Sequence, residues 1–271
     1  MTMELEFYKM SASGNDFILL DNRDERVTGA FPDIKSFVTK VCRRNHSVGS
    51  DGLILIEKGE NVDFSWRFFN ADGSEAEMCG NGGRCAARYA YVKGIAGSSM
   101  VFTTLAGLIR AEVAGSKVKL QLTQPTDLKL DYPIQLENRE IFISSVNTGV
   151  PHAVVLVDDV DRVLVEELGR SIRFHKAFGE KGSNVDFVQV VNDRTAKIRT
   201  YERGVEGETY ACGTGAVASG AILKHKGLGK SPVTIVTKGG ETLKVYIEEN
   251  VYLEGDTRII YTAVLNGEAL L

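Results

Sequence analysis

The chain has 271 residues, enough for one large domain or two of medium size, and its 43% hydrophobic and 25% charged residues are ordinary for a globular protein. The formal net charge of −4 gives no support to a nucleic-acid partner or to binding at an anionic membrane. No apolar stretch approaches the ~20 residues of a membrane span, and the acidic segment 1–7 lacks a signal-peptide core. These observations predict a cytoplasmic protein.

The chain carries four cysteines and four histidines. In a reducing compartment the cysteines are expected to be thiols and not disulfides. There is no Cys-x-x-Cys pair and no paired histidine, so the spacing fits no zinc site and we predict no bound metal. The cysteines are Cys42, Cys79, Cys85 and Cys212.

The first half reads mainly as strands. Apolar residues at helical spacing predict one helix over 33–44, and a second is expected over 83–93, directly after a cysteine. A hairpin is expected around residues 114–116. The predicted strands are 5–9, 16–21, 53–57, 64–70, 100–104, 108–113 and 118–123.

The second half also reads mainly as strands, with two predicted helices. Helices are predicted over 160–174 and 214–226, and the latter is small or apolar almost all round, which is typical of a helix buried on every side. The last strand, about 260–271, is expected to return to the first domain. The predicted strands are 140–146, 154–157, 187–192, 196–201, 233–237, 241–248, 251–255 and 259–265.

Two short segments nearly repeat each other, 78–83 (MCGNGG) and 211–216 (ACGTGA). Upstream, 13–17 (SGNDF) resembles 182–187 (GSNVDF), and we interpret 27–51 as an insertion in the first half. A solenoid would need three or more short repeats, so the pattern predicts two similar domains.

The expected fold is therefore α/β (α+β). It has two pseudo-symmetric domains, each a curved mixed sheet or barrel around a central helix, with the active site in the cleft between them. We place the domains at 1–117, joined by the returning last strand, and 118–259.

Cys79 and Cys212 each precede a glycine at the start of a predicted helix. Such a position offers free backbone N–H groups and a helix dipole, which favour an anion and a thiolate. An inert buried cysteine is the alternative, and we assign it to Cys42 and Cys85, which fall within helical patterns. Two thiols of the first kind suggest a pair that faces one substrate from opposite sides.

Several motifs together resemble the diaminopimelate epimerase family: 69–82 (FNADGSEAEMCGNG), 13–17, 201–204 (YERG), 207–209 (GET) and 211–215. They follow the family order over nearly the whole chain. The family inverts one α-carbon of LL-2,6-diaminopimelate to give the meso isomer, without pyridoxal phosphate or metal. The resemblance therefore implies this substrate, no cofactor, and a role in lysine and peptidoglycan precursor synthesis.

In this reaction the two cysteines would act as the base and the acid. One thiolate removes the α-proton while an opposing thiol delivers a proton to the other face. The carbanion must then be stabilised by hydrogen bonds to the α-carboxylate. The resemblance implies that these bonds come from the backbone N–H groups of Gly80, Asn81, Gly213 and Thr214.

The resemblance also assigns polar side chains. Asn70 and Glu202 would bind the α-ammonium group, Arg203 would pair with the distal carboxylate, and Asn15 and Asn184 would hold the distal end. The alternatives are a solvated charged pair for the glutamate and arginine, and turn chemistry for the asparagines.

His152 matches a family histidine near one catalytic thiol and, with Glu202, is expected to help set its protonation; a satisfied core histidine is the alternative. Two positions depart from some family members: Gly52 stands where they have Gln, and Val150 where they have Asn. Both positions help to hold the distal amino-acid end, so the distal contacts of this chain are left open.

Three other functions were weighed. A proline or hydroxyproline racemase usually has His after Cys-Gly, where this chain has Asn81, and its substrate has no distal carboxylate for Arg203. A thiol redox protein would use Cys79 and Cys212 as a switch disulfide. A binding protein would have no need of opposed thiols. A homodimer is the one protein partnership that the sequence leaves open.

Overall fold

The computed structural model describes residues 4–137 and 139–271. It divides into two compact units, one of Met1–Leu120 with Gly255–Leu271, the other of Gln121–Glu254. The strands, in chain order, are β1 (Leu5–Ala12), β2 (Asn15–Asp21), β3 (Gly52–Glu57), β4 (Phe64–Asn70), β5 (Glu75–Ala76), β6 (Ser99–Thr104), β7 (Gly107–Ala114), β8 (Lys117–Leu122), β9 (Thr126–Gln135), β10 (Glu140–Asn147), β11 (Pro151–Leu156), β12 (Asn184–Asn192), β13 (Thr195–Glu202), β14 (Gly207–Thr209), β15 (Val233–Val236), β16 (Thr242–Ile247), β17 (Val251–Asp256) and β18 (Arg258–Leu265).

Helices are fewer and shorter in total. Short 3₁₀ turns also occur at Val160–Arg162, Lys176–Phe178 and Gly267–Leu270. Within residues 4–137 and 139–271, none of the helices combines the length and apolar character that crossing a bilayer requires. The α-helices are α1 (Arg26–Ala30), α2 (Ile34–Val41), α3 (Gly80–Val92), α4 (Val165–Arg173) and α5 (Gly213–His225).

The first unit is a mixed sheet. Its strands pair in the order β18, β1, β2, β3, β4, β6, β7, β8, and the short β5 pairs with β4. Two pairs are parallel, β2 with β3 and β4 with β6. The chain crosses between parallel partners through helices, α1 and α2 in the first case and α3 in the second.

The second unit repeats this order. Its strands pair as β9, β10, β11, β12, β13, β15, β16, β17, with β14 beside β13. Its parallel pairs are β11 with β12 and β13 with β15, and the crossovers contain α4 and α5. Strands β10–β17 therefore correspond in order and direction to β1–β8, and the prediction of two pseudo-symmetric α/β halves is confirmed.

The predicted phase of the repeat is wrong. Asn15 opens β2, but Asn184 opens β12, whose counterpart in the first unit is β3. The segment 27–51 is not an insertion, because the second unit has an equivalent crossover, with α4, between β11 and β12. The two motifs look alike because Asn15 of β2 and Asn184 of β12 each precede an Asp-Phe pair and an apolar run, although the two strands occupy different places in their units.

The predicted helix over 160–174 is broken in two. Arg199 donates from Nη1 to the carbonyls of Val160 and Val163, at 3.0 and 3.1 Å. In a continuous α-helix these two carbonyls would accept hydrogen bonds from the N–H groups four residues later. The chain instead forms a 3₁₀ turn and begins a new helix, α4, at Val165. Strand β9, rich in Asp and Pro, is absent from the sequence-based elements, as are the short β5 and β14.

Helices α3 and α5 are the centres of the two units. Helix α3 packs on β1, β2, β3 and β7, and α5 packs on β16 and on β10–β13. A Cβ on Gly220 would lie 2.9 Å from Cγ1 of Val245, so this close approach of α5 to β16 requires glycine. Burial of each large aliphatic side chain around such a helix contributes about 1.5–3 kcal/mol. The sheets thus hold each helix firmly, with its N-terminus carrying a cysteine.

Candidate active site

Cys79 is the N-cap residue of α3. Its backbone is extended, with φ −142° and ψ 120°, and its Sγ accepts a hydrogen bond from the backbone N–H of Gly82 at 3.5 Å. An α-helix leaves its first N–H groups without internal partners, and those of Gly80 and Asn81 belong to this set. A side chain on Gly80 would meet nothing within 4 Å. The start of α3 therefore offers an open anion site beside a half-buried thiol.

Asn81 and Asn15 are joined near this thiol. Asn81 donates from Nδ2 to Oδ1 of Asn15 at 2.8 Å, and Asn15 donates from its own Nδ2 to Oδ2 of Asp51 at 3.0 Å. Both ends of the Asn15 amide are thus fixed in one orientation. Asn81 is fixed in turn, because the buried Arg84 donates from Nη2 to its Oδ1 at 2.8 Å.

Asp16 and Asp51 exchange backbone hydrogen bonds at the start of β2 and β3. The N–H of Asp51 donates to Oδ1 of Asp16 at 3.0 Å, and the N–H of Asp16 donates to Oδ2 of Asp51 at 3.1 Å. Lys9 and Arg44 supply positive charge to this pair. Although burial opposes ionisation of Asp16, hydrogen bonds from Arg44 and Lys9 lower its pKa to about 2.

Asn70 lies at the end of β4 with its side chain exposed. Its Nδ2 donates to Oγ of Ser74 at 3.0 Å, across a turn that Asp72 stabilises by accepting from Ser74. Among the described residues, the recorded side-chain partner of Asn70 is thus Ser74, in its own turn. Its predicted contact with substrate stays a prediction.

Cys212 is the matching N-cap residue of α5. Its Sγ accepts from the N–H of Gly215 at 3.4 Å and lies 3.4 Å from the Thr214 hydroxyl. The first N–H groups of α5, which include those of Gly213 and Thr214, are again without internal partners. The Thr148 hydroxyl donates to the carbonyl of Thr214 at 3.2 Å and fixes this turn. The two thiols therefore have the same backbone setting.

The surroundings of Cys212 are more acidic than its helix position suggests. Burial raises the pKa of the Cys212 thiol far above its ordinary value, and the negative charges of Glu202 and Asp186 add to the rise. The Thr214 hydroxyl and the Gly215 N–H lower it, but they do not prevail. At neutral pH this residue is a thiol, contrary to the expectation that its helix position makes it a thiolate.

His152 is wholly buried in the second unit. Its Nδ1 lies 2.6 Å from Oδ2 of Asp186, and neither side chain is exposed. Its Nε2 lies 3.3 Å from Nδ2 of Asn184. The other oxygen of Asp186, Oδ1, accepts from the Thr200 hydroxyl at 2.7 Å. Both ring nitrogens of His152 thus have protein partners.

Asn184 links the histidine to the Glu202–Arg203 segment. Its Oδ1 accepts from the backbone N–H of Arg203 at 2.8 Å. Burial raises the pKa of the neighbouring Glu202 carboxyl, and the charge of Asp186 acts in the same direction. The sequence-predicted residues of this unit, His152, Asn184, Glu202, Arg203 and Cys212, are therefore in one connected region.

Gly52 and Val150, the two departures from the family pattern, have different surroundings. A Cβ on Gly52 would lie 2.6 Å from the carbonyl oxygen of Phe69 and 2.7 Å from Cε2 of Phe68, so β3 has no room for a side chain at this position. Val150 is half-buried and follows Gly149, whose φ of 99° is left-handed. The remaining cysteines, Cys42 and Cys85, are buried.

Sequence reasoning missed residues that support the site: Arg44, Asp51, Arg84 and Asp186. One signal was available for Asp186. It stands two residues after Asn184 on the same strand, and residues i and i+2 of a strand face the same side. A charged residue in an otherwise buried strand, on the same side as Asn184, indicates a role in the site.

Comparison with known proteins gives a consistent result. The sequence profile of the family described as diaminopimelate epimerase matches residues 7–127 and 144–260. Proteins named diaminopimelate epimerase are 48% identical in Aquifex aeolicus, 49% in a Hydrogenobaculum species and 42% in Archaeoglobus fulgidus. The alignments cover 98%, 96% and 97% of this chain and 99%, 98% and 97% of the three relatives.

Solved structures share the fold at much lower identity. A phenazine biosynthesis protein of the PhzF family from Bacillus anthracis has a TM-score of 0.72 at 14% identity and covers 97% of this chain and 99% of its own. A hydroxyproline epimerase from Agrobacterium vitis has a TM-score of 0.68 at 16% identity and covers 99% and 94%. At this identity the likeness concerns the fold alone.

Proposed function

Because this chain belongs to the diaminopimelate epimerase family, we propose that it interconverts LL- and meso-2,6-diaminopimelate, without a cofactor, by a two-base reaction of Cys79 and Cys212. The meso product would enter lysine and peptidoglycan precursor synthesis. One observation carries the mechanism: each of the two cysteines is the N-cap of a helix whose next residues present N–H groups.

The N-caps supply both requirements of the reaction. An α-proton adjacent to a carboxylate is removed only if the developing negative charge on the carboxylate is stabilised. Backbone N–H groups at a helix N-terminus do this without reorganisation. We assign this function to the N–H groups of Gly80, Asn81, Gly213 and Thr214, next to the two sulfurs.

The protons balance between the thiols. One sulfur, as thiolate, takes the α-proton, and the other, as thiol, gives its proton to the opposite face of the same carbon. Each turnover leaves the two sulfurs in exchanged protonation states. Because burial and the negative charges of Glu202 and Asp186 raise the pKa of Cys212, we propose that this thiol is the proton donor in the free protein.

The remaining roles follow from the family motif. We propose that Asn70 and Glu202 hold the α-ammonium group, that Arg203 pairs with the distal carboxylate, and that Asn15 and Asn184 act at the distal end. The half-buried Glu202 supports this assignment, because its negative charge gains most from a cationic partner. We propose that His152 acts through Asn184, because its two ring nitrogens face Asp186 and Asn184.

The other functions have less support. The fold likeness to a hydroxyproline epimerase comes with 16% identity, against 48% for the Aquifex relative. A redox function gains no support from the relatives at 42–49% identity, which are named diaminopimelate epimerase. Cytoplasmic location and homodimer formation are parts of our proposal that depend on composition and family; light scattering during size-exclusion chromatography tests the second.

Proton exchange tests the function directly. Reduced protein is incubated with LL-diaminopimelate in D₂O, and the α-hydrogen signals of both isomers are followed by NMR. Two monoprotic bases predict deuterium in newly formed meso product, while unreacted LL substrate keeps its hydrogen at low conversion. Cys79→Ala and Cys212→Ala should each abolish product formation, and Cys42→Ala, which alters a buried thiol outside the motif, should not.

Two results would change the proposal. Exchange with proline and none with diaminopimelate would keep the chemistry and replace the substrate. No exchange with any amino acid under reducing conditions would remove the racemase mechanism and favour the redox alternative.

A further inference from the structure

Asp186 lies at the centre of the second unit's site, yet no role has been given to it so far. Its carboxylate reaches His152 on β11 through Oδ2 and Thr200 on β13 through Oδ1. It also touches the first turn of α5, because a Cβ on Gly215 would overlap with Oδ1. The side chain is completely buried. A buried carboxylate is costly unless its partners satisfy it, so this arrangement calls for an explanation.

The donors and acceptors in the hydrogen bonds from Arg203 to Asp186 can be assigned one after another. The N–H of Arg203 can only donate, so the atom of Asn184 that faces it is the oxygen. The Asn184 NH₂ group therefore faces Nε2 of His152 and donates to it. A ring nitrogen that accepts carries no proton, so the proton of the neutral ring is on Nδ1, where it is donated to Asp186.

We infer that Asp186 is a positioning residue of this site: it holds His152 in the Nδ1–H tautomer and thereby, through Asn184, fixes the backbone at Arg203. The chain of hydrogen bonds runs from Asp186, which packs against the first turn of α5, to the backbone of Arg203, directly after β13. Helix α5 begins after Cys212, and β13 ends at Glu202. It ties the thiol and the ammonium-binding carboxylate of our proposal to one rigid frame.

The charged groups around Asp186 are consistent with this role. His152 faces it from β11, Glu202 acts on it from β13, and Cys212 from the start of α5. In the described part of the chain, no lysine or arginine forms an ion pair with Asp186; its partner at 2.6 Å is the imidazole of His152. Its charge is thus available to orient the imidazole and to keep the nearby sulfur protonated.

The first unit provides a contrast. Its equivalent strand pair, β2 and β3, begins with Asp16 and Asp51, and two cationic side chains neutralise them. The third position of β3, which corresponds to Asp186 of β12, is the buried Ile54. The buried histidine–aspartate pair is therefore specific to the unit that contains Cys212.

The test combines a structural and a kinetic measurement. In protein labelled with ¹⁵N-histidine, the ring signals of His152 are assigned by their loss in His152→Gln, and their shifts report the tautomer. We expect the Nδ1–H tautomer in the natural protein. In Asp186→Leu, whose side chain cannot accept a hydrogen bond from Nδ1, we expect the loss of this tautomer, together with a roughly 10- to 100-fold lower kcat/KM, in which KM rises as well as kcat falling.

Thr200→Val is the matched control. It removes a hydrogen bond to the same carboxylate but leaves the contact with His152, so the tautomer should persist and kcat/KM should change less than about 3-fold. An Nε2–H tautomer in the natural protein would overturn the inference, even if Asp186→Leu does not fold. So would an Asp186→Leu protein with unchanged tautomer and kinetics.

The kinetic part rests on the proposed function, whereas the tautomer does not. A natural protein without epimerase activity would count against the function alone, and the NMR measurement would still decide the orientation of His152.

Discussion

Asn81 donates a 2.8 Å hydrogen bond from its side-chain amide to Oδ1 of Asn15, and this bond joins the first turn of α3 to the first residue of β2. A backbone donor of the proposed carboxylate site and a proposed distal-end ligand are thus parts of one structure. Changes at either residue should affect the other.

Asn15→Asp tests this coupling. The new carboxylate still accepts from Asn81, but it loses the donor to Asp51 and places two negative charges about 3 Å apart. We expect a loss of roughly 1–3 kcal/mol in the free energy of unfolding and a lower kcat/KM. Urea denaturation and steady-state kinetics measure both. Asn192→Asp, on an exposed strand end where the side chain only accepts, is the control; equal effects of the two changes would contradict the coupling.

The two glycines of the helix starts should respond differently to alanine. Gly215→Ala forces Asp186 to move, and we expect it to cost roughly 1–3 kcal/mol of stability, as for other overpacked sites. Gly80→Ala has open space and should leave stability unchanged or raise it by up to about 1 kcal/mol, because alanine favours a helix. Its methyl group would project at the proposed carboxylate site, so KM should rise. Chemical denaturation with parallel kinetics separates these outcomes, and a stable Gly215→Ala protein would show that the crowding at α5 is absent.

The ionisation of Cys212 should depend on Glu202. Burial is the first cause of its raised pKa and the charge of Glu202 is the second, so Glu202→Gln removes a like charge and should lower the pKa of the thiol. Alkylation by iodoacetamide, measured at Cys212 by mass spectrometry over a pH series, should reach its half-maximal rate at lower pH. Glu249→Gln, an exposed change in a hairpin turn, should leave the curve in place. An unmoved curve in Glu202→Gln would mean that Glu202 does not raise the pKa of Cys212, leaving burial and Asp186 as its causes.

Acid stability should depend on Asp16. Its folded pKa of about 2 is below the value of 3.8 for the free group, so the stability that its charge contributes is present above about pH 5 and is lost as pH falls toward 2. The side chain is partly exposed, so this contribution is at most about 2 kcal/mol. Arg44→Gln should make the loss of stability between pH 5 and pH 3 smaller, because the pKa of Asp16 then rises.

Urea denaturation at the two pH values measures this difference. Arg26→Gln removes an arginine from the exposed Asp24 pair and serves as the control, with little expected effect. If Arg44→Gln loses as much stability on acidification as the natural protein, the low pKa of Asp16 does not come from Arg44.

The sequence was most informative where local patterns decide the structure. Strand β4 was predicted at its observed bounds, and the cysteines before α3 and α5 were predicted at helix starts, because a Cys-Gly pair before small residues leaves few alternatives. It was least informative where distant residues decide. The break before α4 depends on Arg199 of β13, and no local pattern in 160–174 announces it.

The same division applies to the site. The thiols and their glycines are local motifs, whereas the phase of the repeat depends on which parallel strands lie side by side. Likewise, the start of a helix favours a thiolate at Cys212, whereas burial and the charges of Glu202 and Asp186 raise its pKa in the folded chain. Burial and charge at a distance are properties of the folded chain.

The two units share one strand order but surround their cysteines with different groups: cation-neutralised carboxylates at β2 and β3, and a histidine–aspartate pair at β11 and β12. For a reversible isomerisation, the ratio of kcat/KM in the two directions equals the equilibrium constant between the isomers, which belongs to the substrates. A substitution on one side can therefore slow or speed both directions only by the same factor. The asymmetry leaves the position of equilibrium untouched; it decides which protonation form of the free protein is populated, and so which isomer the resting protein is ready to accept.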